Sequence, residues 1–91
     1  MRLDLFLKTS RLVKRRTVAQ ELCDAGRVLV NGQAAKPAKE IRPGDRLALS
    51  YATRTLEVEV LTVPPSSRNV KMPPEELYRV TADRRISEQG P

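Results

Sequence analysis

Ninety-one residues with a formal net charge of +6, one cysteine, no histidine and no tryptophan make one small domain, able to bury only roughly 60–65% of its unfolded surface. Without histidine there is no Ser-His-Asp triad, no Cys-His nucleophile and none of the common zinc sites, and a lone cysteine (Cys23) closes no disulfide within the chain. No apolar run nears the about 20 residues of a membrane span, and Asp4 interrupts the stretch that a signal peptide keeps apolar. The expectation is therefore a soluble, cytoplasmic, non-enzymatic protein with no cofactor and no metal, in which Cys23 acts as a small apolar residue.

The first apolar pattern is helical. Leu3, Phe6 and Leu7 fall at i, i+3 and i+4, which aligns them on one helix face, so a helix is predicted from Arg2 or Leu3 to Thr9. A second start signal stands at Thr17, whose hydroxyl can accept an orphan N–H while Gln20 reaches back in a capping box. Val18, Leu22 and Ala25 then share a face, with Ala19 and Cys23 beside it, and Gly26 supplies the left-handed stop. The second helix should cover Thr17 to Ala25.

Beyond Gly26 the period becomes two, with Val28 and Val30 on one side and Arg27 and Leu29 on the other. Asn31-Gly32 is a strong hairpin signal, because both residues tolerate the positive φ of a type I′ turn, and Pro43-Gly44-Asp45 marks another tight turn. Leu47, Leu49 and Tyr51 alternate, a break follows at 52–54, and Leu56, Val58 and Val60 alternate in turn. Two helices followed by a small antiparallel sheet make an α+β plan. Five of the seven prolines lie beyond residue 63, which places the domain at residues 1–63 and a linker and C-terminal tail at 64–91. Within that tail, 74–82 reads either as a short helix opened by Pro74, Glu75 and Glu76 or as coil.

The charge is unevenly placed: residues 1–46 carry eleven basic and five acidic side chains, residues 47–91 six of each. Arg2, Lys8, Arg11, Lys14, Arg15 and Arg16 stand near the start against Asp4 alone, and packing the two helices through their apolar faces leaves these six on adjoining outer surfaces. A charge run is ordinarily a solvated face. Solubility alone mixes signs, however, and this surplus points to a polyanion. A membrane would need a broad apolar helix face to spare, and the core requires those residues. Phe6, Tyr51 and Tyr78 are too few and too scattered for a base-stacking platform, which leaves recognition of phosphate and shape, with arginine the better fork for phosphate oxygens. DNA read by a helix-turn-helix stays open as the weaker alternative, since the second helix offers mainly Gln20 and Glu21 to read base edges. Arg16 is expected to be a solvated loop side chain whose removal spares the fold. Asp4 suits the positive end of the first helix or orients Arg2. Glu57 and Glu59 share a strand face as alternation alone arranges.

Taken together, RLDLFL at 2–7, KRRTVAQEL at 14–22, GRVLVNG at 26–32, Lys36-Pro37 and PGDRL at 43–47 resemble, in order and spacing over about residues 1–50, the S-four type RNA-binding domain. The resemblance implies an αα turn packed on a small twisted antiparallel sheet, with RNA bound by the two helices and the loop before the second. Arg2, Lys8, Arg11, Lys14, Arg15 and Arg16 occupy those positions, and Asn31-Gly32 the turn bordering the same surface. The length and SRLVKRRTVA at 10–19 look most like the RqcP family of stand-alone S-four proteins, relatives of the small heat-shock S-four proteins.

That resemblance implies a factor of bacterial ribosome-associated quality control. It would bind the rRNA and the peptidyl-tRNA of an obstructed large ribosomal subunit, with RqcH as the functional partner that extends the stalled chain by alanine. The alternative it leaves is a heat-shock-type factor that recycles or assembles free large subunits. Those relatives carry a longer basic C-terminal extension, whereas residues 64–91 here hold five basic and four acidic side chains.

Overall fold

Leu3, Phe6 and Leu7 lose all their solvent exposure, each burial worth roughly 1.5–3 kcal/mol, and the helix they define, α1, spans Leu3–Thr9. The computed structural model describes residues 1–51, 53–64 and 72–85. No side chain caps the start of α1. Its first amide groups are met instead by a later loop, Leu3 N–H donating to the Lys39 carbonyl at 2.8 Å and Asp4 N–H to that of Pro37 at 3.1 Å. The Met1 ammonium pairs with Glu40 at 2.6 Å, so residues 37–40 strap the front of the chain in place.

The second helix, α2, spans Arg16–Asp24 and is capped by Arg15 without a side-chain bond. The capping box expected at Thr17 is not formed. The helix starts one residue earlier, Thr17 lies inside it, and the Gln20 amide turns to Asp4 rather than back to the helix end. The buried face also differs from the expected one. Ala19 and Cys23 enter the core, while Val18 stays 40% exposed and Ala25 is exposed. Gly26 takes φ +74° and ends the element as predicted.

A five-stranded antiparallel sheet follows, built from β1 (Val28–Val30), β2 (Gln33–Ala34), β3 (Arg46–Ser50), β4 (Arg54–Val60) and β5 (Tyr78–Arg85), in the order β2-β1-β3-β4-β5. Asn31 at φ +53° and Gly32 at φ +85° form the β1–β2 turn, as the Asn-Gly pair predicts. Val28, Val30, Leu47, Leu49, Leu56, Val58 and Val60 all point to one face and meet the apolar sides of α1 and α2 in a single core. Tyr51 lies just past β3, its hydroxyl donating to the Leu12 carbonyl at 2.8 Å.

Over 74–82, read from sequence as either a short helix or coil, the structure has one helical turn, α3 (Pro74–Leu77), and the chain then becomes β5. Leu77 is fully buried, and its carbonyl accepts from the Leu61 amide at 2.8 Å. Beyond it the backbone of 78–85 satisfies the otherwise open edge of β4, a demand that outweighs the weak propensity of a short isolated helix. The sheet therefore runs on past residue 63. Of the linker and tail expected at 64–91, residues 65–71 and 86–91 lie outside the described residues.

Candidate nucleic-acid interface

Asp4 organises the front of the molecule. Its side chain is fully buried at the seam between α1 and α2, yet two arginines and an amide converge on it. Arg2 Nε lies 3.2 Å from Oδ1 and Arg16 Nε 3.1 Å from Oδ2. The Gln20 amide donates to Oδ2 at 3.0 Å, and the Leu5 N–H to Oδ1 at 2.8 Å. Burial opposes ionisation here, but the Gln20 and Arg16 hydrogen bonds and the charges of Arg16 and Arg2 outweigh it and hold the carboxyl below its ordinary 3.8. From sequence Asp4 suits either the positive end of α1 or the orienting of Arg2; in the structure it stands in the first turn of α1 and also pairs with Arg2, and to these are added Arg16 and Gln20, which only the helix packing brings within reach.

One carboxylate thus anchors two guanidiniums and leaves a surplus positive charge. Both arginines remain partly open, with side-chain exposures of 44% for Arg2 and 40% for Arg16, so unused donors still face solvent in an oriented pair. Arg16 is consequently not the free loop residue expected from sequence: it is the first residue of α2 and half-buried against Asp4.

Lys14 and Arg15 follow directly before α2, both exposed, and line an open groove of about 750 Å³ with Arg27. Its apolar lining includes Val18 and Leu22, with Tyr51 on the wall it shares with the next concavity. Arg11 lines a second concavity of about 460 Å³ on the other side of Leu12 and Tyr51, with Arg54 and Tyr78. Lys8 is exposed one helical turn beyond Asp4. Among the described residues Lys8, Arg11, Lys14, Arg15 and Arg27 form no ion pair with a carboxylate.

Asn31-Gly32 stands apart from the groove, at the opposite end of β1 from Arg27. The Asn31 side chain is occupied within the fold: its amide donates to Asp45 at 3.2 Å and its oxygen accepts from the Arg46 N–H at 3.0 Å. Sequence reasoning did not single out Arg27 or Arg54. Arg27 had been placed on the outward side of β1, which was the available signal; Arg54 offered none, since its position beside Tyr51 depends on a turn closed by the Tyr51 N–H donating to the Arg54 carbonyl at 2.7 Å. Cys23 is buried beside Asp4 and Asp24, and desolvation, then those two charges, push its thiol up to about 11, so it stays protonated and unreactive at neutral pH.

A family model described as "S4 domain" matches residues 1–47. The chain is 42% identical to the RQC P-site tRNA stabilizing factor of Halalkalibacterium halodurans, with 96% of this chain and 97% of that protein covered. With the protein of the same name from Bacillus subtilis it shares 48% identity over 66% of this chain and 70% of the other. Among solved structures, the trimeric heat shock protein 15 of Vibrio cholerae superposes with a TM-score of 0.78 at 30% identity, covering 90% of this chain and 82% of that one.

Proposed function

The chain belongs to the S4 domain family, and from that membership we propose that it is a cytoplasmic, non-catalytic RNA-binding factor of ribosome-associated quality control. It binds rRNA of an obstructed large subunit and the tRNA in its P site. With that tRNA held, RqcH extends the stalled chain by alanine. The observation that carries the reading is the pair Arg2 and Arg16 fastened to one buried carboxylate between two helices, with Lys14 and Arg15 exposed beside them. Guanidiniums held in this way have lost part of their rotamer freedom before RNA arrives, so less of the binding energy goes into ordering them. The shared name of the relatives supports the P-site tRNA as the object held.

The likeness to heat shock protein 15 favours a second reading, a factor that handles free large subunits. Sedimentation with purified large subunits, empty or carrying peptidyl-tRNA, separates the two. The quality-control reading expects tighter binding to the obstructed subunits, by at least about ten-fold if tRNA contacts add about 1.4 kcal/mol. Equal binding to both would transfer the assignment to subunit recycling.

A further inference from the structure

We propose that the groove beside α2 receives one unpaired nucleotide of the bound RNA, its base lying on Val18, Leu22 and Tyr51 and its phosphate held by Lys14, Arg15 and Arg27. The inference rests on the RNA-binding reading and deepens it, since phosphate contacts alone do not use an apolar lining.

Three observations carry it. Val18 and Leu22 belong to the face of α2 that the helical pattern assigns to the core, yet Val18 is 40% exposed and Leu22 only half-buried. The groove they line measures about 750 Å³, within the roughly 300–1,000 Å³ of small-ligand sites. Its rim is cationic at three points and no carboxylate is among its lining residues. Finally, the groove continues the phosphate-binding surface: Arg15 at its mouth is the chain neighbour of Arg16, which Asp4 anchors. RNA lying across Arg2 and Arg16 therefore passes the opening. A paired stem would present only phosphates there, and a phosphate gains nothing from Val18 or Leu22. The flat face of an unstacked base does, as in the recognition of bulges and loops by other proteins. Tyr51 is held for this purpose by its hydrogen bond to Leu12, which leaves the ring part of the wall.

The test uses the full chain and two labelled RNAs, a fully paired hairpin and the same hairpin with one bulged uridine, compared by fluorescence anisotropy. Stacking of one base predicts a preference for the bulged form of about five-fold or more. Val18→Gln, charge-neutral and compatible with a helix, should abolish the preference and leave affinity for the paired hairpin unchanged. Independently of any variant, 4-thiouridine at the bulge should crosslink under ultraviolet light to Tyr51 or to the segment from Leu12 to Leu22. Equal affinity for both hairpins, as an acidic peptide occupying the groove would produce, overturns the assignment while the RNA-binding reading stands. So do crosslinks that fall only elsewhere. Failure to bind either hairpin overturns both.

Discussion

A carboxylate with no solvent exposure is costly unless it is paired and fully hydrogen-bonded, and Asp4 meets both conditions through Arg2, Arg16, Gln20 and the Leu5 amide. Because its folded pKa lies below the ordinary 3.8, its contribution to stability is present above that value and is lost as pH falls through the folded one. Asp4→Asn should therefore lower stability at neutral pH by about 1.5–3 kcal/mol, the scale of a charge-assisted hydrogen bond, with the difference from the parent closing below about pH 4. Urea melts at neutral and acid pH would read this directly. Arg16→Ala is expected to cost stability as well as affinity, since it withdraws one of the two charges facing Asp4, whereas Lys14 and Arg15 can be altered without touching that network. Arg11 presents the opposite balance. It sits at φ +67°, a left-handed position that costs a side-chain-bearing residue about 1 kcal/mol relative to glycine. Arg11→Gly should leave the melting temperature unchanged or raise it while weakening RNA binding. A fall in both would assign Arg11 a structural role.

Among the elements, those with strong local signals were legible. Leu3, Phe6 and Leu7 announced α1, the alternation of Leu47, Leu49, Leu56, Val58 and Val60 announced β3 and β4, and Asn31-Gly32 with Gly26 marked the turns. What escaped the sequence was decided by neighbours in space. At the start of α2, Gln20 meets Asp4 instead of reaching back to Thr17, and β5 fills the unpaired edge of β4: Tyr78, Val80 and Ala82 do alternate, but the helix start at Pro74, Glu75 and Glu76 directly before them hides the period. An irregularity near Thr81, whose hydroxyl donates to the Glu57 carbonyl at 3.2 Å, weakens the pattern further. Ion pairs between Arg54 and Asp83 and between Arg79 and Glu59 fasten the two strands across the edge. Leu77 offers the test at this scale, because it is fully buried although it lies beyond the boundary drawn at residue 63. Leu77→Ala should cost about 2–5 kcal/mol in a urea or thermal melt. A change within about 0.5 kcal/mol, as for a surface site, would mean that the segment is not integral to the fold.

At the scale of the molecule, the charge asymmetry points to the front of the chain but not to how its cations divide. Arg2 and Arg16 are set by a buried carboxylate, Lys14 and Arg15 join Arg27 around a groove, and Arg11 joins Arg54 around a second one. Composition cannot show this, because it depends on Leu12 and Tyr51 forming the ridge between the two concavities. Neutralising about five phosphates predicts a log–log salt slope of roughly −3.5 to −4.5 for binding to structured RNA. The most direct measurement is that slope for the parent and for the Lys14→Ala, Arg15→Ala double variant on purified large subunits, with thermal melts alongside. The account predicts unchanged melting and a slope shallower by about 1.4–1.8, two phosphate contacts' worth. A parent whose binding ignores salt, or a double variant that retains the full slope, would contradict it.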